Sequence, residues 1–160
     1  LYDDKPIGSG KTASGALPAL FFTSAAFLRL LLIMLIQNPR QHASAIVNKL
    51  HNPNVWLIAC YCAQWCDTCK EYFDSFVELS QRFPQHLFVW VDIEDEPELL
   101  DDIDIENFPT LLIQIEGKNH FFGTMLPYIS HLERILQNIR PDSPVQPDGP
   151  SAFSRLIQQA

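Results

Sequence analysis

Apolar residues come in blocks of different lengths, and the block lengths predict the elements. The longest block is residues 16–36, where 17 of 21 positions are apolar and the exceptions are Pro18, Thr23, Ser24 and Arg29. From residue 41 the blocks shorten. Ala45, Ile46, Val47 and Leu50 mark a short helix that the cluster His51-Asn52-Pro53-Asn54 ends. The run 55–61 is continuously apolar, as a central strand covered on both faces must be. Phe73, Phe76, Val77 and Phe83 recur at helical spacing over 66–83, with Pro84 as the stop. Residues 86–93 read as a second strand, and 97–105 as a short helix opened by Pro97. Segments 111–115 and 119–122 read as strands, and the turn Glu116-Gly117-Lys118 makes them a hairpin. Pro127 opens a last helix striped by Tyr128, Ile129, Leu132, Ile135, Leu136 and Ile139, and Pro141 ends it.

A βαβ half followed by a ββα half predicts an α/β fold with one mixed sheet and helices on both faces. The predicted organisation is a leader and hydrophobic helical segment (1–40), the αβ domain (41–140) and a Pro-rich tail (141–160). The tail carries four prolines in its first ten residues, then a weak apolar turn at Phe153, Leu156 and Ile157, and reads as an extended linker with a sticky end. Residues 1–15 are polar and read as a flexible leader. Gly10-Lys11-Thr12 resembles the end of a phosphate-binding loop, but Lys5 stands where that loop needs glycine and no strand precedes it. Block 16–36 has the length of a membrane span, about 20 residues. Arg29 at its centre costs about 2.5–3.5 kcal/mol in a bilayer. Cleavage as a signal peptide near Ser24-Ala25-Ala26 would leave a very apolar new terminus. The expectation is an extra helix packed on the domain or on a second chain, with a membrane anchor as the alternative.

Composition narrows the function classes. The chain has 160 residues, 47% of them hydrophobic and 19% charged, enough for a core and too apolar for a disordered chain. A net charge of −8 with 11 scattered Lys and Arg excludes a general nucleic-acid binder. Nine of the 19 acids lie in 92–106, from Asp92 to Glu106, without an intervening base. A calcium loop would need a glycine that is missing, so the run is expected to be a solvated face that biases which partners approach. The four cysteines are too few to staple a protein of this size, but all lie within ten residues: Cys60, Cys62, Cys66 and Cys69.

Cys66-Asp67-Thr68-Cys69 sits where an apolar strand gives way to a helix. Two cysteines so spaced in a first helical turn can close a small disulfide. The first meets the unpaired N–H groups and the positive end of the helix dipole, which favour its thiolate, the attacking form. The second is placed to resolve a mixed disulfide. The competing reading uses all four thiolates for zinc or an iron–sulfur cluster, making a metal-binding or redox-sensing module. Against it, Cys60 and Cys62 fall in a strand, on one face with Tyr61 opposite, where cysteine is usually a small hydrophobe.

With Trp65-Cys66-x-x-Cys69-Lys70, then Phe108-Pro109-Thr110, then Gly117 and Gly123 around the last hairpin, residues 41–140 resemble the thioredoxin family. The resemblance implies a thioredoxin fold and thiol–disulfide exchange on disulfide-containing proteins, as reductase rather than oxidant, in cell redox homeostasis. It implies no organic cofactor, and electrons from a partner thiol reductase or a membrane thiol carrier. Cys66 would be the nucleophile and Cys69 the resolving thiol. Trp65 would shield the pair. Pro109 would be a cis-proline facing it, beside Phe108 and Thr110 on an edge where a substrate strand pairs.

Four positions depart from the family pattern. Cys60 stands where a buried carboxylate is usual, Trp90 where its lysine partner is usual, Cys62 replaces an aromatic, and Asp74 replaces a helix proline. The dipeptide Asp67-Thr68 replaces the common Gly-Pro, and Asp67 should repel a thiolate at Cys66. Tuning is therefore expected from Asp67, Thr68, Lys70, Cys60 and Cys62. Unpaired cysteines at 60 and 62 favour a reducing cytoplasm, whereas an anchor at 16–36 would favour a membrane-attached or periplasmic protein.

Overall fold

The computed structural model describes residues 35–160, so the leader, the glycine-lysine-threonine motif and most of the apolar block 16–36 lie outside the described residues. Five strands form one mixed sheet: β1 (Leu35–Gln37), β2 (Leu57–Cys62), β3 (Leu87–Asp92), β4 (Thr110–Ile115) and β5 (Lys118–Thr124). Their order is β1-β3-β2-β4-β5. β1, β3 and β2 run parallel, and β4 and β5 are antiparallel to their neighbours. The helices are α1 (Ala43–Leu50), α2 (Asp67–Arg82), α3 (Ile129–Asn138) and α4 (Phe153–Gln159), with 3-10 turns at Pro39–His42 and Pro97–Leu100. This is the expected α/β architecture.

All six residues of β2 are buried. Ile58, Cys60 and Cys62 face a core that also holds Tyr72, Phe76 and Leu79 of α2 and Leu132 and Leu136 of α3. Leu57, Ala59 and Tyr61 face a second core with Ile46 of α1 and Phe153, Leu156 and Ile157 of α4. The side-chain period of two thus sorts one strand between two cores. In α2 the buried stripe is Cys69, Tyr72, Phe76 and Leu79. Phe73 and Val77, expected at the centre of that stripe, are half-buried at its border.

Two segments depart from the sequence reading. Leu35 and Ile36, placed in the hydrophobic helix, belong to β1, where Leu35, Ile36 and Gln37 pair with Phe88, Val89 and Trp90. An apolar run of this length carries no periodicity that separates helix from strand, and the free edge of β3 decides it. The tail, expected to be an extended linker, is pinned to the sheet. The Gln146 amide donates to Asn119 O at 2.7 Å and Gln146 Oε1 accepts from the Phe122 amide at 2.7 Å, which covers the β5 edge. Gly149 has φ +111, and a Cβ there would meet Asn119 Nδ2 at 2.8 Å. Buried Gln114 in β4 then holds the start of α4: its Nε2 donates to Ser151 O at 3.1 Å, and its Oε1 accepts from the Phe153 amide at 2.9 Å.

Nor is the acidic run simply a solvated face. Glu96 is buried and accepts from the Arg40 amide at 2.9 Å, while the Arg40 guanidinium donates to Asp95 O and pairs with Glu98. Asp101 accepts from the Ser151 hydroxyl, which ties the run to the tail. These contacts come from segments fifty or more positions away and left no local signal.

Phe153→Ala should cost about 3–5 kcal/mol, because it empties a fully buried aromatic site. Urea unfolding would read this as a lower midpoint, and an unchanged midpoint would mean that α4 contributes nothing to the core. A second prediction concerns His86, whose Nδ1 accepts from the Trp56 amide at 3.2 Å while its ring stacks on Trp56. Burial, assisted by Lys49, pushes its pKa down to about 4. The neutral ring therefore contributes stability above pH 6.5 that is lost as pH falls toward 4. His86→Gln, which keeps an acceptor without that titration, should narrow the stability gap to wild type between pH 7 and pH 4.5.

Candidate active site

The loop from β2 to α2 builds the site. β2 ends at Cys62, and the Cys66 amide donates to Ala63 O at 3.0 Å, turning the chain into α2. Cys66 is the N-cap of α2, in extended conformation with φ −80 and ψ 109. Its thiol is free and partly exposed. Cys69, one turn into the helix, is 2% exposed and points into the core. An outer thiol and an inner thiol three residues on are what the sequence predicts.

The disulfide is not the predicted one. Cys69 is bonded to Cys62, with Cα atoms 6.0 Å apart, and Cys66 is left as a thiol. Cys62 ends β2 on the face that α2 covers, and Cys69 is on the α2 stripe that covers it, so the two meet across the layer. Cys62 is therefore paired, contrary to the expectation of an unpaired cysteine there. Cys60 Sγ lies 3.9 Å from Cys62 Sγ and remains a buried thiol. Burial, then the nearby Cys66, pushes the Cys60 thiol well above its ordinary range. The Tyr72 hydroxyl, buried within electrostatic reach of Cys60, is also pushed up and has no hydrogen-bond partner among the described residues. Two of the four sulfurs bonded to each other leave no four-thiolate set. Among the described residues, no group of three or more His, Cys, Asp or Glu side chains is arranged to hold a metal.

Cys60 pairs in register with Trp90 of β3, and Trp90 packs edge-on against Phe73 and Phe76 of α2. Both members of the family's buried carboxylate–lysine pair are thus replaced together, by a thiol and an indole that bury without a charge. Asp67 is exposed and its carboxylate accepts from Lys70 Nζ at 3.0 Å, so its charge beside Cys66 is partly answered. Beside Cys69 and Lys70 a cleft of about 410 Å³ opens, lined also by Trp90, Asp92 and Glu96.

The second wall is the loop before β4. The Phe108–Pro109 peptide is cis, as predicted. Pro109 O accepts from the Met125 amide at 3.1 Å, and Thr110 Oγ1 donates to Asn107 O at 2.8 Å. Trp65, 64% exposed, stands edge-on to Phe108, with ring centroids 5.7 Å apart. Its Nε1 donates to Glu94 Oε1 at 3.0 Å, giving one acid of the run a definite task. Leu126 and Tyr128, also largely exposed, follow Met125. Nothing local in the acidic run marks Glu94 as the residue that meets Trp65.

A partly exposed cysteine capping a helix, a buried cysteine one turn inside it and a cis-proline loop beside an exposed tryptophan define a thiol-chemistry site on a mixed sheet. The thioredoxin family model matches residues 35–126, more than half the chain, and the chain belongs to the thioredoxin family. It is 34% identical over 58 residues to a thioredoxin H-type of Picea mariana, a match covering 36% of this chain and 46% of that protein. The chain thus spans about half the length of the curated relatives it matches. Among solved structures it resembles the thioredoxin NaTrxh of Nicotiana alata, with TM-score 0.57 and 19% identity over 67% of this chain and 94% of that one. It also resembles a chain of the complex of ferredoxin:thioredoxin reductase with thioredoxin f2, with TM-score 0.51 and 18% identity over 64% of this chain and 92% of that one.

Proposed function

We propose that the chain is a protein-disulfide oxidoreductase that reduces disulfides of protein substrates by exchange through Cys66 and Cys69. One observation carries this: the free, partly exposed Cys66 thiol caps α2 next to the Trp65–Phe108–Pro109 edge, with Cys69 buried one turn inside. Cys66 attacks the substrate disulfide and forms a mixed disulfide. Cys69 then attacks Cys66 Sγ, which releases the second substrate thiol and leaves Cys66–Cys69 oxidised. The substrate lies against Trp65 and Phe108, beside the exposed Glu94 that holds the Trp65 indole. Electrons return from a thiol reductase. The complex of a similar chain with ferredoxin:thioredoxin reductase supports a partner of that class.

Insulin reduction tests the reading. Cys66→Ser should abolish it, whereas Cys69→Ser should accumulate covalent complexes with substrate, visible on non-reducing gels. Full activity of Cys66→Ser would end this reading. A further expectation follows from position 60. A buried thiol whose pKa is raised is a poor base at neutral pH, so Cys69 loses its proton to water or to the departing substrate thiolate. Cys60→Asp should speed single-turnover release of a model mixed disulfide at pH 7 and lower the urea midpoint, because a carboxylate is buried without a cationic partner. Equal release rates in the two proteins at pH 7 and pH 9 would make Cys60 a packing residue only.

A further inference from the structure

The disulfide that the structure contains joins Cys69 to a residue outside the Cys66–Cys69 pair. We infer that Cys62 is a third exchange thiol, which takes the disulfide from Cys66–Cys69 to Cys62–Cys69 and returns Cys66 to the thiol form. This rests on the reading that Cys66 and Cys69 carry out the exchange.

Three observations converge on it. Cys62 and Cys69 are bonded, so the inner thiol reaches Cys62 with β2 and α2 packed in their native places. The Cα separation of 6.0 Å falls at the commonest value for a disulfide. Cys66 stands free and partly exposed at the same time, so the inner disulfide and the outer thiol belong to one arrangement of the chain.

The step is an isomerisation with no external oxidant. After substrate release the chain holds the Cys66–Cys69 disulfide. The Cys62 sulfur attacks Cys69 Sγ, the Cys69–Cys66 bond breaks, and Cys66 leaves as thiolate and takes up the proton that Cys62 gave up. One disulfide is present before and after, and one thiol replaces another. The outcome is an oxidised protein that still presents a nucleophile at its surface. A disulfide-bearing partner attacked by Cys66 in this form stays attached, because the thiol that would resolve it is bonded to Cys62. The inner disulfide therefore turns a releasing enzyme into a holding one, until reduction of Cys62–Cys69 restores Cys69.

Cleavage after Tyr61 and Trp65 separates Cys60, Cys62 and the pair Cys66/Cys69 onto three peptides, so the connectivity can be read directly. The full chain is oxidised with one equivalent of diamide and sampled over time. It is alkylated in the folded state and cut after aromatic residues. Mass spectrometry should show Cys66–Cys69 first and then a peptide of residues 62–65 linked through Cys69, with about one alkyl group on Cys66. Oxidised wild type should also release one equivalent of thionitrobenzoate from Ellman's reagent and keep the other half on Cys66. Oxidised Cys62→Ser should retain Cys66–Cys69 and release none. Wild type that stops at Cys66–Cys69, or that links 62–65 through Cys66, would overturn the proposal and leave the insulin result with Cys66→Ser untouched. Loss of the insulin result would instead remove the exchange reading beneath it.

Discussion

Strand β2 is covered on both faces over its whole length, and the rest of the site follows from that constraint. A residue on such a strand has no solvent to turn to, so each side chain commits to one core or the other. Cys60 and Cys62 commit to the core under α2 and α3, and Tyr61 to the core under α1 and α4. The same strand ends where α2 begins. This places an outer cysteine at a helix terminus, where first-turn N–H groups are unpaired, and an inner cysteine over the end of the strand. The dithiol and its extra partner are two consequences of one strand–helix joint.

The interior beneath the joint is less polar than the family pattern. A carboxylate–lysine pair would bring charge and a proton path below the dithiol, at a desolvation cost that burial makes large. The register partners Cys60 and Trp90 replace both groups at once, and Phe73 and Phe76 close around the indole. The core beneath Cys66 then holds the sulfurs of Cys60, Cys62 and Cys69 and the Tyr72 hydroxyl. This helps explain how a third thiol comes to lie where an aromatic is usual.

The tail and the acidic run show how much of the frame comes from distant segments. The β5 edge is closed by Gln146, and the second core is completed by Phe153, Leu156 and Ile157. Gln114 carries the coupling, since its amide binds the tail on one side and the start of α4 on the other. Across the sheet, Arg40 and buried Glu96 tie the segment before α1 to the loop after β3. Glu94 from that same loop holds the indole of Trp65, so the frame reaches into the site.

The sequence by itself determined the order of strands and helices between residues 41 and 140, the two-faced burial of β2, the Cys66 and Cys69 positions and the proline loop at Phe108–Pro109. Each depends on short-range physics: a period of two or of 3.6, a proline without an N–H, or two cysteines within one helical turn. The family likeness added the cis geometry on the strength of those same motifs. Only the tertiary structure decided that Leu35 and Ile36 are strand, that the tail docks, that Glu96 is buried, and that Cys69 bonds Cys62. Leu35 and Ile36 answer to an open strand edge some fifty residues away, and α4 to a vacancy on a sheet face that no local pattern advertises. For Cys62 the sequence showed the correct face but not the partner. Whether a strand cysteine meets a helix cysteine depends on how closely the two layers pack at that point, and spacing along the chain does not encode that distance.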